Sequence, residues 1–227
     1  MSADKTISLL IVIVNYRTAG LTIECLQTLA EEVAQAGDIS IQVIVADNAS
    51  GDDSVPQLEN AIQSHGWSHW AGVLPLATNS GFAGGNNAAI RAAMQQDQNA
   101  SSQGPGRLPE YVMLLNPDTL VRPGAIRTLV NFMQANPKAG IAGSRLEHPD
   151  SSPQNSAFRF PNFWGEVDAG LAWGLITMVL HRHVTAPPVR LETYATDWVS
   201  GACFVIRRRC WNRWACWTKA TSCITKK

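Results

Sequence analysis

Three segments of this chain end an apolar run in residues able to do polar chemistry. Tyr111 to Pro123 reads Y-V-M-L-L-N-P-D-T-L-V-R-P. Pro117 lacks the N–H a central strand needs, so the run stops at Asn116-Pro117-Asp118. Asp118 is thereby expected at the carboxyl end of a core strand, where open α/β sheets place their ligand chemistry. Ile41 to Gly51, I-Q-V-I-V-A-D-N-A-S-G, ends the same way and sets Asp47 at the same mouth. Asn79 to Asn87, N-S-G-F-A-G-G-N-N, runs into a helical stretch over Ala88 to Gln96. Glycines and asparagines ahead of a helix leave backbone amides for a phosphate. Plainer readings stand beside these: Asp118 as a polar turn residue, the glycines as a tight turn and helix packing. The spacing is not the G-x-G-x-x-G of a dinucleotide fold, which argues against that assignment.

The elements that must position these residues alternate along the chain. Strands are predicted at Ile7 to Tyr16, Ile41 to Asp47, Val73 to Ala77 and Tyr111 to Leu115. Helices are predicted at Leu21 to Ala36, ended by Gly37, near Val55 to Ser64, and at Pro123 to Ala135 with proline at its start. Further strands are predicted at Ile141 to Leu146 and Val199 to Ile206. Asn99 to Pro109 is polar and rich in Gly and Pro, the pattern of an exposed loop. Alternation of this kind builds a mostly parallel sheet flanked by helices, an α/β fold.

Composition narrows the function classes. The 227 residues suffice for one sizeable α/β core. The formal net charge is zero and 16% of residues are charged, so nothing in the electrostatics calls for nucleic acid. No charged start followed by an apolar stretch reads as a signal peptide. Five cysteines without zinc spacing fit a reducing cytosol. The run Ala169 to Leu180 is too short to span a bilayer and reads as a buried helix or a face touching a membrane or lipid acceptor.

With its motifs in this order, the chain resembles glycosyltransferase family 2 with the GT-A fold, near the rhamnosyltransferase-like members. The matching text is V-I-V-N-Y-R from Val12, V-A-D-N-A-S-G-D from Val45, N-S-G-F-A-G-G-N-N, L-L-N-P-D-T, and D-W-V-S-G-A-C-F-V-I-R-R from Asp197 to Arg208. The resemblance implies transfer of a sugar, rhamnose first among the choices, from a dTDP- or UDP-sugar to a polysaccharide or lipid-linked glycan, with inversion. It implies a nucleotide site of Asn15, Tyr16, Arg17, Asp47, Asn79, Gly81, Phe82, Gly84, Asn86 and Asn116. Many relatives carry D-x-D where this chain has Asn116-Pro117-Asp118, so Asp118 is left to carry the metal contact nearly alone. Hard oxygen donors around a diphosphate suit Mg2+ or Mn2+. An acceptor side is implied at Asp197, Trp198 and Gly201, and at His148-Pro149-Asp150, which also reads as a turn. The implied location is cytoplasmic, with peripheral contact at the inner face of the membrane.

From Arg208 the text becomes R-R-C-W-N-R-W-A-C-W-T-K-A-T-S-C-I-T-K-K, with no 3.6 or 2.0 periodicity. The family pattern has a helix here, then an acidic pair carrying the general base. Read from each codon's third base, synonymous codons allow A-M-L-E-Q-V-G-L-L-D-E-G-Y-F-M-Y-Y-E-E. Residues 1–207 are therefore expected to form the GT-A domain. Residues 208–227 are expected to be an out-of-frame tail standing in for the missing C-terminal part. On this expectation the chain holds a donor site without its base. The alternatives are a non-catalytic nucleotide-sugar binder or a genuine tryptophan-rich docking tail.

Overall fold

The computed structural model describes residues 6–100, 109–160, 187–190 and 192–214. The expected run Ala169 to Leu180, the loop residues 101–108 and the tail 215–227 lie outside them. Among the described residues, no helix is long and apolar enough to cross a membrane.

Four strands and four helices alternate through the first part of the chain. They are β1 (Ile7–Asn15), α1 (Ala19–Ala34), β2 (Ile39–Asp47), α2 (Ser54–Ser64), β3 (Ala71–Pro75), α3 (Gly81–Ala100), β4 (Tyr111–Leu115) and α4 (Ala125–Ala135). Short strands follow: β5 (Ile141–Gly143), β6 (Leu146–Glu147), β7 (Pro153–Gln154), β8 (Ala157–Phe158) and β9 (Trp198–Val199). The last elements are β10 (Cys203–Arg207) and α5 (Arg208–Trp214). α5 lies in text read as an aperiodic tail, where the family pattern has a helix, and Trp211 on it is buried.

One six-stranded sheet runs in the order β3-β2-β1-β4-β10-β5. β1, β2, β3 and β4 pair in parallel, and β10 is antiparallel to β4. The chain builds outward from β1 to β3 on one side, then crosses to β4 on the other. That reversal makes the carboxyl ends of β1 and β4 the switch point where such sheets bind ligands. Every residue of β4 is buried, as a strand covered on both faces requires. The odd-numbered residues Ile7, Leu9, Ile11 and Ile13 of β1 join Val43, Val45, Met113 and Leu115 in one core with Leu26, Leu29, Leu58 and Met133 from the helices.

Several elements depart from the predicted bounds: α1, β2 and β3 each start two residues earlier, the strand expected over Ile141 to Leu146 splits into β5 and β6, and that over Val199 to Ile206 into β9 and β10. Two further shifts bear on the site. α3 starts at Gly81, inside the segment read as a loop, so Gly84, Gly85, Asn86 and Asn87 are helical. Gly85 packs so closely on β1 that a Cβ there would lie 2.9 Å from Val14 Cγ1, which is why a helix can form through this text at all. α4 starts at Ala125 rather than at Pro123, with Gly124 at φ 77° as its N-cap. A distant side chain sets that start, as described below.

The described residues fall into two compact units: those up to Ala142 with those from Gly201 on, and Gly143 to Ser200. The second contains two small antiparallel pairs, β6–β7 and β8–β9.

Candidate functional site

The sheet's carboxyl edge is organised by a buried polar network. Asn15 and Asp47 end β1 and β2 and stand opposite each other in register. Asn15 Nδ2 donates to Asp47 Oδ1 at 2.7 Å, and Ser50 Oγ donates to the same oxygen at 2.5 Å. Ser50 N donates to Asp47 Oδ2 at 3.1 Å. Thr18 and Thr22 donate their hydroxyls to Asn15 Oδ1 at 3.1 and 2.9 Å. Asp47 is 3% exposed, so the residue expected at the nucleotide first of all folds the loop that follows it. Among ionised side chains a buried carboxylate needs just such a set of donors.

The loops after β1 and β2 carry backbone strain. Arg17 at φ 58° and Ala49 at φ 57° sit in the left-handed region, one after β1 and one after β2. Such residues persist where the surroundings over-determine them, commonly at ligand sites. Arg17 is held by its N–H on Ser50 Oγ and by its Nε on Ser50 O, both at 2.9 Å. Its guanidinium lies 5.2 Å from the centre of the exposed Tyr16 ring. Arg17 is therefore fixed yet open to solvent, with Tyr16 exposed beside it.

Asn48 links this edge to the start of α3. Its Nδ2 donates to Asn79 Oδ1 at 2.9 Å, and its Oδ1 accepts from Ser80 N at 3.1 Å. Asn79 Oδ1 also accepts from Gly81 N at 2.9 Å. With α3 starting at Gly81, its first turn runs from Gly81 to Gly84, about two turns earlier than the predicted start at Ala88, and Asn79 Oδ1 caps it. Phe82 is exposed at this terminus. Asn86 is buried behind it and donates from Nδ2 to Phe82 O at 2.9 Å, while Asn86 Oδ1 finds no donor among the described residues.

The loop bearing Asp118 is pinned along one stripe of α1. Cys25 Sγ donates to Asn116 O at 3.9 Å. Val121 N donates to Thr28 Oγ1 at 3.0 Å. Gly124 N and Ile126 N donate to the two oxygens of Glu32 at 2.5 and 2.9 Å. Glu32 is buried and caps the positive end of α4, so this carboxylate fixes where that helix begins. On the far side, Asn116 N donates to Ala202 O at 2.8 Å, and Thr119 N closes a turn on Asn116 O. Asp118 itself is exposed between these pins.

Among the described residues, no group of three His, Cys, Asp or Glu side chains forms a metal cage. A single open carboxylate beside a neutral Asn116 suits a cation that takes its other ligands from phosphate and water, as Mg2+ sites on nucleotides do. The residues present fit the expected metal in that form.

In the second unit, His148, Pro149 and Asp150 form the turn of the β6–β7 hairpin. His148 N donates to Ser152 O, and Asp150 Oδ1 accepts from Ser152 N and Oγ, which holds its carboxyl below the usual range. Trp198 stacks on Phe158 at 4.2 Å and donates from Nε1 to Arg159 O at 3.1 Å, so it serves as a wall of this unit. Asp197 is exposed, with Oδ2 accepting from Phe160 N at 3.1 Å. Gly201, in the first unit, has open space where a Cβ would stand, which leaves room rather than tight packing.

Sequence reasoning missed Ser50, Asn48, Thr28 and Glu32. The signal for Thr28 and Glu32 was the polar series Thr18, Thr22, Cys25, Thr28 and Glu32 at helical spacing on the inner side of α1.

The model of the family described as glycosyl transferase family 2 matches residues 10–213. The chain is similar to the N-acetylglucosaminyl-diphospho-decaprenol L-rhamnosyltransferase of Mycobacterium tuberculosis, at 27% identity over 191 residues. That match takes in 81% of this chain and 57% of the relative, so the chain spans little more than half of that protein's length. In fold it is similar to mannosyltransferase PcManGT from Pyrobaculum calidifontis in complex with GDP-Man and Mn2+, with TM-score 0.59, 16% identity and coverage of 94% of this chain and 48% of that one. It is also similar to GalNAc-T7 with UDP, GalNAc and Mn2+, with TM-score 0.57, 12% identity and coverage of 94% and 37%. The fold is the GT-A glycosyltransferase fold, a mostly parallel sheet flanked by helices.

Proposed function

We propose, from the premise that this chain belongs to glycosyl transferase family 2, that it binds a nucleotide-diphosphate sugar at the carboxyl edge of β1, β2 and β4. The observation that carries this reading is the exposed Asp118 on a loop pinned at the sheet's switch point. The nucleoside lies against Asn15, Tyr16, Arg17 and Asp47, with Arg17 and Tyr16 making the open contacts and Asn15 and Asp47 holding the loop. Asn79, Gly81, Phe82 and Gly84 present the start of α3, whose positive end faces phosphate oxygens. Asn86 supports Phe82 from behind. Asn116 and Asp118 hold Mg2+ or Mn2+ together with the diphosphate. When bound, the ion stabilises the charge that develops on the leaving diphosphate.

The proposed reaction is inverting transfer to a lipid-linked or polysaccharide glycan at the cytoplasmic face of a membrane. Rhamnose from dTDP-rhamnose is the leading donor, by analogy with the mycobacterial relative. Asp197, Trp198 and Gly201 are proposed for the acceptor side. Deprotonating an acceptor hydroxyl needs a base, and losing one typically costs ~10²–10⁴-fold in rate. We propose further that residues 1–207 are the GT-A domain and 208–227 an out-of-frame tail, in which the acidic pair of the family pattern is not read and transfer is impaired. The second reading, a nucleotide-sugar binder without turnover, draws on the same observation.

Calorimetric titration tests the donor site. Wild type is expected to bind a UDP-, dTDP- or GDP-sugar only with Mn2+, and Asp118→Ala to lose that binding while melting at the same temperature. Equal binding by the variant would overturn the assignment. Sequencing the DNA from the Val199 codon past Lys227 tests the tail. An acidic continuation in the third-base frame is expected, and a closed frame would make the tail genuine.

A further inference from the structure

Asn48 is 3% exposed, and both atoms of its amide are spent on a segment other than its own loop. Its Nδ2 donates to Asn79 Oδ1 at 2.9 Å and its Oδ1 accepts from Ser80 N at 3.1 Å, across 31 and 32 residues of chain. Its backbone N–H donates to Asn15 O at 2.8 Å, so the residue is anchored on the end of β1 as well. Ala49 at φ 57° then turns the chain, and Ser50 comes back to Asp47 and Arg17. Neighbouring residues of one loop thus hold two different parts of the edge. Ser50 braces Asp47 and Arg17, while Asn48 braces the start of α3. At the other end of the tie, Asn79 Oδ1 also accepts from Gly81 N at 2.9 Å, which passes the restraint into the helix. Buried and engaged at both amide atoms, Asn48 is placed to set a distance rather than to touch a ligand.

We propose that Asn48 is a positioning residue that fixes the span between the nucleoside half and the phosphate half of the site. It thereby favours ligands long enough to bridge the two, a nucleoside diphosphate over its monophosphate. This rests on the donor-site reading above, in which Tyr16 and Arg17 meet the nucleoside and the start of α3 meets the phosphate. A ligand that touches both halves binds better when they are already held at one separation, because no binding energy goes into bringing them together. A ligand confined to one half gains nothing from the tie. Loss of Asn48 is therefore felt in proportion to how far a ligand reaches, whereas loss of a direct contact is felt by every ligand that makes it.

The test titrates wild type, Asn48→Ala, Asn79→Ala and the double variant with UDP, dTDP and GDP and with the matching monophosphates, all with Mn2+. Melting curves accompany each protein. Asn79 is exposed, so Asn79→Ala cuts the tie from its open end should Asn48→Ala fail to fold. Asn48→Ala is expected to lose about tenfold in affinity for the diphosphate that wild type binds best. For the matching monophosphate the expected loss is less than about twofold. The double variant is expected to lose no more than Asn48→Ala, because a single tie is cut only once. Equal fold losses for diphosphate and monophosphate overturn the proposal, as does an unchanged diphosphate affinity. Where the monophosphate binds too weakly to titrate, the double-mutant cycle decides: additive losses overturn the proposal, since Asn79 then acts on the ligand by itself. A wild type that binds none of the three diphosphates sinks the donor-site reading. A wild type that binds one, with Asn48→Ala binding it equally well, sinks the span alone.

Discussion

Asn15 Nδ2 donates to Asp47 Oδ1 across 2.7 Å, joining the ends of two parallel strands at the position where their register brings them side by side. The carboxylate takes three donors in all, and each is an N–H or O–H that burial would otherwise leave unmatched. Asp47→Asn keeps the shape but turns an NH2 toward some of those donors. It is expected to cost roughly 1–3 kcal/mol, the range for a buried polar group left unsatisfied. Urea denaturation measures this, and a midpoint equal to wild type would show that the network contributes nothing.

Thr28 and Glu32 act on the Asp118 loop from one turn to the next of α1. Thr28→Val removes the acceptor for Val121 N, on the chain three residues past Asp118. Stability is expected to fall by about 1 kcal/mol, and Mn2+-dependent nucleotide binding to weaken with it. Thr28→Ser restores both, because the hydroxyl returns. Glu32→Gln leaves one oxygen for two N–H groups and is expected to lose roughly 1–3 kcal/mol by the same reasoning. A Thr28→Val protein that binds nucleotide and Mn2+ as wild type does would separate the loop's position from the pin.

Much of this was legible beforehand, for reasons visible in particular residues. β4 runs from Tyr111 to Leu115 as predicted, because an all-apolar strand ends at a proline that cannot continue it. Asp47 closes β2 as predicted, since β-branched residues give way to turn formers there. The start of α3 was not legible, because Gly84 and Gly85 disfavour a helix on propensity alone. The missing side chain of Gly85 is what admits the helix against Val14, a tertiary fact. The start of α4 depends on Glu32, 92 residues from Gly124, and local text around Pro123 carries no trace of it. Asp118 was read correctly as a strand-end acid and lies exposed in its loop, and its pinning by Cys25, Thr28 and Glu32 required the helix in place.

Gly85 provides a direct check on the close approach of α3 to β1. A methyl group at this position would lie 2.9 and 3.1 Å from the two Val14 methyls. Gly85→Ala gains helix propensity but is expected to destabilise overall by about 1–3 kcal/mol, the usual cost of overpacking. Val14→Ala makes room, so the double variant is expected to be more stable than the sum of the two single losses. Additive losses in a double-mutant cycle would mean that the two residues do not press on each other.

Cys25 gives a pH dependence whose sign can be worked out. Burial pushes its thiol up to about 12 from the usual 9.0, with Cys203 and Asp118 adding in the same direction. The folded pKa is raised, so the protonated thiol's contribution is fully present below pH 9 and is lost as pH rises toward 12. Wild type is therefore expected to lose more stability than Cys25→Ala between pH 8 and pH 10, in paired denaturation curves. The same burial shields the sulfur from reagents, since the thiolate is the reactive form. Iodoacetamide at pH 8 is expected to leave Cys25 unmodified in the native protein and to alkylate it after urea, as read by mass spectrometry. Labelling of the native protein at the unfolded rate would mean that α1 opens from the Asn116 loop readily. In that case Cys25 would not be one of the pins that hold Asp118.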